Sequence, residues 1–172
     1  MNKVFNIINF PAIVILAIIS NPYFSYCQAS KFKPSFSVVF DSLRGPELIT
    51  QCTRDTPNNI SGYWTPKESD IKILENNFKK IYKYPKNKCN VWPGKIKKLE
   101  SFAFQYLGVT INKNKLIYIN AFPSKEANFF KLNDLDPRTY PRTVCDGGAF
   151  FWGTLFDIIT KKFVFLAFNA RE

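Results

Sequence analysis

One stretch of this chain, VCDGGAFFWG from Val144 to Gly153, sets a thiol and a carboxylate directly beside two glycines. Read as catalysis, Cys145 would be a nucleophile and Asp146 an acid or base. A cysteine nucleophile needs a neighbouring base or cation to hold it as thiolate, and the 172 residues include no histidine. That absence excludes Ser–His and Cys–His nucleophiles and every zinc site built on imidazole. The seven glycines form no phosphate-cradling or dinucleotide pattern, and the four cysteines show no Cys-x-x-Cys spacing. Neither a metal nor a cofactor is expected.

What survives is chemistry by carboxylates alone. Two acids held at a suitable separation can cleave a glycosidic bond. Glu100, just ahead of a strand-like run, and Asp146 are the better candidates, with Glu47, Asp134 and Asp136 in irregular stretches. Most such residues are solvated surface, so no catalytic residue is expected. A carboxylate-dependent hydrolase of an anionic or sugar polymer, using Glu100 and Asp146, is the alternative. The opening stretch reads more simply as a bend. Asp-Gly-Gly supplies positive φ before a strand, and a cysteine upstream of it can staple the turn.

Lysine is the other chemically distinct resource. Between Lys79 and Lys98 stand eight lysines and no acid: Lys79, Lys80, Lys83, Lys86, Lys88, Lys95, Lys97 and Lys98. Tyr82, Tyr84 and Trp92 are interleaved among them. Cations among aromatics can hold an anionic polymer or lipid surface, so all eight lysines are candidates for anionic-surface binding. Lysine in place of arginine implies point-charge attraction, not bidentate recognition. The net charge of +11 points the same way. A composition rich in Lys, Asn, Ile, Phe and Tyr, all with A/T-rich codons, is a competing source of those lysines.

The elements that must position these groups begin after residue 29. Residues 1–29 carry a single charge, Lys3, then the apolar run FPAIVILAIIS and the small-residue pattern CQA before Ser30. This is the layout of a secretory signal, with an apolar core too short to span a membrane, which takes about 20 residues. Export to the periplasm or beyond is therefore expected, with a lipid anchor on Cys27 as a variant. The mature chain, 30–172, suits one domain without a transmembrane segment. An exported protein uses cysteine for bridges. Loss of Cys27 by cleavage or acylation leaves Cys52, Cys89 and Cys145, enough for one bridge, and spacing alone does not choose the pair.

TPKESDIKILENNFKKIYKYP predicts a helix over 66–83: Thr65 as cap, Pro66 at the first position, Glu68 closing a capping box. Ile71, Leu74, Phe78 and Ile81 make one apolar stripe. SFAFQYLGVTI and LIYINAF alternate around NKNK as a hairpin, and GAFFWGTLF with FVFLAFN makes a second. SFSVVF is a candidate edge strand, SKEANFF a helical turn, and 123–144 a long irregular stretch. The expected fold is α+β: one long helix across a four- to five-stranded antiparallel sheet, a cystatin-like roll by analogy of element order.

The ordered pieces Cys52, YWTP, QYLGV, LIYINAF, CDGG and FNA span residues 52–170. This pattern resembles a largely uncharacterised family of small exported and lipoprotein-like proteins of Gram-negative bacteria, with Ala170 standing where that pattern has glycine. The resemblance implies export, an α+β domain and a Cys52–Cys145 bridge, which would leave Cys89 unpaired. It implies no activity. The expected function is a non-catalytic binding protein, of inhibitor or immunity type or a cell-envelope module. Its partner would be a protein or envelope component, met through the sheet face the helix leaves open or through the 123–144 stretch.

Overall fold

The computed structural model describes residues 31–85, 96–129 and 136–170. The signal-like segment, Cys27, Cys89, Trp92 and Asp134 lie outside them. So do Lys86, Lys88 and Lys95, three of the eight lysines that are candidates for anionic-surface binding.

Six strands form one mixed sheet: β1 (Ser37–Val39), β2 (Ile60–Trp64), β3 (Phe102–Ile111), β4 (Asn114–Pro123), β5 (Trp152–Asp157) and β6 (Lys162–Phe168). Along the sheet the order is β1-β3-β4-β5-β6, and β2 shares with β1 the same edge of β3. Both expected hairpins form, but the outgoing strand of the second begins only at Trp152, because Gly148–Phe150 is a 3-10 turn. Asn112 and Lys113 turn the first with φ of 49° and 66°, the doubly left-handed pair that matches the twist of a two-residue hairpin. In the second, Asp157 Oδ1 accepts from the amides of Ile159 and Thr160 at 2.8 and 3.0 Å.

The antiparallel expectation is corrected at β1, which runs parallel to Phe104–Tyr106 of β3. The reason is connective: the chain leaves β1 through a 3-10 turn at Ser42–Arg44 and α1 (Gly45–Ile49) and crosses a sheet face before returning. It comes back as β2, antiparallel to Gly108–Ile111, where the sequence reads as turn-rich. Gly108 permits that pairing. A Cβ there would lie 2.4 Å from the Trp64 carbonyl oxygen and 2.2 Å from its ring.

The single long helix is also corrected. α2 spans Glu68–Asn77, and Phe78–Lys83 continues as 3-10 helix. Thr65 does not cap it; its Oγ1 accepts from the Ser42 amide at 3.2 Å, while Asp70 accepts from the Lys67 amide at 3.0 Å. Asn77 donates to the Ile73 carbonyl at 2.7 Å, the kind of side-chain competition that weakens a helix interior. Beyond it the apolar spacing is three. Phe78, Ile81 and Tyr84 align on one side of a three-residue-per-turn helix, and all three pack into the core.

That core lies on one face of the sheet, where Leu74, Phe78 and Ile81 cover Phe102, Phe104, Tyr106, Ile117, Ile119, Trp152 and Phe156. Phe78 meets Phe104 at 4.8 Å between centroids, and Trp152 meets Phe102 edge-on at 5.4 Å. The opposite face is not open. Phe40, Leu48 and Ile49 close over Leu107, Val109, Leu116, Tyr118 and Leu155, all buried. Both faces of β3 and β4 are apolar, so leaving either in water would forfeit about 1.5–3 kcal/mol per large side chain. The expectation of a free binding face is therefore corrected.

Candidate functional site

Cys52 and Cys145 are joined, with their Cα atoms 4.6 Å apart and a sequence separation of 93. The bridge ties the segment crossing the second sheet face to the turn that opens the last hairpin. Thr53 reinforces it: its hydroxyl donates to the Cys145 carbonyl and accepts from the Ala170 amide at 3.2 Å. Gly147 and Gly148 take φ of 89° and 53°. A Cβ on Gly147 would meet the Phe151 ring at 2.4 Å. The glycines thus bend the chain and let Phe151 fold back against the bend. The Gly148 amide donates to the Ala170 carbonyl at 3.1 Å, and Asn169 Nδ2 donates to the carbonyls of Val144 and Asp146.

Next to the bridge, the second sheet face carries a polar layer. Gln105 Nε2 donates to the carbonyls of Pro137 and Tyr140 at 2.8 and 2.9 Å, and its Oε1 accepts from Asn120 Nδ2 at 3.0 Å and from the Arg142 amide at 2.8 Å. Asn120 Nδ2 also donates to the Arg142 carbonyl at 2.8 Å, and Asn120 Oδ1 accepts from Arg54 Nη2 at 2.6 Å. Arg54 is 4% exposed. Burial holds its pKa below the ordinary arginine value, and the adjacent Tyr118 hydroxyl opposes that shift. The same burial raises the Tyr118 pKa, which the guanidinium pulls back. Among the described residues no acid forms an ion pair with Arg54. This layer straps residues 136–142 to the sheet, so that part of the 123–144 stretch is structural. Gln105 and Asn120 have a signal in the sequence, each a lone amide within an apolar strand. Arg54 has none, because only the tertiary fold carries it under the sheet.

The layer reaches the surface through Arg142, whose guanidinium holds Glu126 of α3 (Ser124–Phe129) at 3.0 Å. Glu126 lies on a cleft of about 410 Å³ at the Phe102/Pro123 end of the first hairpin. Phe102 and Pro123 form its floor, and Phe150 and Phe151, presented by the Gly147–Gly148 bend, form a wall. Lys97 and Lys125 stand on it with Ser101 and Ser124. The Lys97 ammonium sits 4.8 Å from the centre of the Phe150 ring, which is 52% exposed.

A second cleft, of about 310 Å³, lies at the other end of the β5–β6 hairpin, between the 3-10 helix and the start of β6. Its sides are Lys80, Lys83 and Lys162, its apolar surface Tyr84, Pro85 and Phe163, and among the described residues no acid lines it. Lys80 reaches across to donate to the Lys161 carbonyl at 3.3 Å.

The described lysines of the 79–98 run do not all share one cleft. Lys80 and Lys83 face the groove, while Lys97 belongs to the cleft beside Phe150. Lys79 and Lys98 are exposed and line neither cleft. Lys86, Lys88 and Lys95 fall outside the described residues and are assigned to neither. The physical reason is that the run straddles two elements, the 3-10 helix and the entry to β3, which lead to different parts of the sheet. Lys162 joins the groove from the hairpin turn, a placement no local pattern signals.

The carboxylates do other work. Asp41, Asp70 and Asp157 accept backbone amides, and Glu47, Asp136 and Glu126 pair with Arg44, Arg138 and Arg142. Glu100 and Asp146 are exposed and line neither cleft. Among the described residues no three Cys, Asp or Glu side chains converge as metal ligands, and no helix is long and apolar enough to cross a membrane. No protein-family model, curated protein or solved structure matches the chain.

Proposed function

We propose that this is an exported, non-catalytic binding protein, a cell-envelope module that docks on an anionic surface. The observation carrying the reading is the groove of Lys80, Lys83 and Lys162 against Tyr84 and Phe163, with no acid on its walls among the described residues. Three ammonium groups on two separate chain segments concentrate positive potential where apolar surface can follow a ligand out of water. An envelope surface fits this groove better than the plugged partner site of an inhibitor or immunity protein, since neither sheet face is left free. The hydrolase reading draws no comparable support, because its carboxylates, Glu100 and Asp146, stand away from both clefts. Export and the family resemblance belong to this proposal and rest on the N-terminal signal layout and the ordered sequence pattern.

Co-sedimentation with vesicles of phosphatidylglycerol and phosphatidylcholine, against phosphatidylcholine alone, tests it. A lysine near an anionic surface contributes about 1 kcal/mol. Lys80→Gln, Lys83→Gln and Lys162→Gln together should therefore lower partitioning about 100-fold, and 0.5 M salt should do much the same to the parent protein. Equal partitioning onto both vesicle types would overturn the reading.

A further inference from the structure

We propose that the cleft beside Phe150 is a separate ligand site, built for a small amphiphilic carboxylate: an apolar chain ending in one acid group. Its volume of about 410 Å³ falls in the range of sites that enclose small ligands, about 300–1,000 Å³. The floor and wall are apolar on two sides, from Phe102 and Pro123 and from Phe150 and Phe151. Phe102 is rigidly backed by Trp152 at 5.4 Å, so the floor does not collapse into the space above it.

The charge of the cleft selects the head group. Among the described residues Glu126 is the one acid on its walls, and Arg142 already holds it with two hydrogen bonds, at 3.0 and 3.2 Å. Neither Lys97 nor Lys125 belongs to any ion pair among the described residues. The cleft therefore presents two uncompensated ammonium groups, with the Ser124 hydroxyl beside them as a donor, while the Ser101 hydroxyl donates to the Lys98 carbonyl. A carboxylate answers all of these at once. A cationic amphiphile meets like charge, and a neutral one gains only the apolar contact.

Phe150 is the residue with no structural reason to be aromatic. It is half exposed, and its ring is held under the Lys97 ammonium. That contact contributes about 0.5–1 kcal/mol at an exposed site. A ligand chain sliding onto the ring gains apolar burial and brings its acid group to the same lysine. The Asp-Gly-Gly bend gains a use by this: it staples the hairpin and also aims two phenylalanines into the cleft.

Decanoate titrated into the protein calorimetrically is the test, with decyl glucoside and decyltrimethylammonium as neutral and cationic controls. Decanoate should bind at least tenfold tighter than decyl glucoside, and the cation should not bind. Phe150→Ser, at an exposed position that leaves the fold intact by circular dichroism, should weaken decanoate at least tenfold. Lys97→Gln with Lys125→Gln should erase the preference for decanoate over decyl glucoside while sparing the glucoside. Equal binding of decanoate and decyl glucoside by the parent protein, or unchanged decanoate binding in Phe150→Ser, overturns the assignment. So does loss of decanoate binding in Lys80→Gln/Lys83→Gln, which would place the ligand in the other groove. Because those two lysines serve the envelope-docking reading, failure of either proposal leaves the other standing.

Discussion

Removing the Cys52–Cys145 bridge is the perturbation with the best-defined magnitude. The bridge closes a loop of 93 residues in sequence. The chain-entropy relation then gives a loss of about 15.6 cal/mol/K in the unfolded ensemble, or about 4.6 kcal/mol at 25 °C. That is a large share of the 5–15 kcal/mol by which a domain is typically stable. Both cysteines are exposed, so a reductant reaches the bridge without unfolding the protein. Urea unfolding followed by tryptophan fluorescence, with and without dithiothreitol, should show a midpoint lower by about 2 M in the reduced protein, for a slope near 2 kcal/mol/M. Cys145→Ser should reproduce the reduced curve and fold at low temperature, because Thr53 still bonds across to residues 145 and 170. It should also bind anionic vesicles as the parent does, since the lysine groove lies at the far end of the hairpin. A midpoint shift below about 0.5 M would refute the entropic argument, and loss of vesicle binding in a folded Cys145→Ser protein would refute the reading of the bridge as a staple.

Two further outcomes follow from buried polar groups. Asn120→Ala removes the acceptor of Arg54 Nη2, a bond to Gln105 and a bond to the Arg142 carbonyl of the 136–142 strap. It should destabilise by about 3 kcal/mol, because a buried guanidinium and the Gln105 amide lose partners together, and thermal melts should show it with native strand content kept. For Glu75, burial raises the carboxyl pKa above its ordinary value, and the Lys33 ammonium opposes the shift. A raised folded-state pKa favours the protonated fold, so this contribution is full below the ordinary glutamate range and is lost as pH rises through the raised value. Glu75→Gln should accordingly raise the melting temperature at pH 7 and leave it unchanged at pH 3; a rise equal at both pH values would point to packing and not ionisation.

The sequence by itself determined the elements whose signal is local. Alternation in SFAFQYLGVTI and LIYINAF fixed the central hairpin, since a period of two must put Phe102, Phe104 and Tyr106 on one face and Leu107 and Val109 on the other. The stripe of Ile71, Leu74, Phe78 and Ile81 likewise predicted which side of the helix meets the sheet. It also excluded histidine chemistry outright. The tertiary structure alone decided what depends on contacts distant in sequence. Whether SVV pairs parallel, whether ISGYW becomes a strand, and whether the second sheet face is covered all turn on how 40–59 crosses the sheet, which no periodicity encodes. The same holds for the clefts. Lys83 and Lys162 are far apart in the chain yet share one groove, and Lys97 meets Phe150 only because the Gly147–Gly148 bend carries the ring there. A local pattern reports which side a residue faces; the partner it faces is set by chain crossing, and the sites of this protein are made of such crossings.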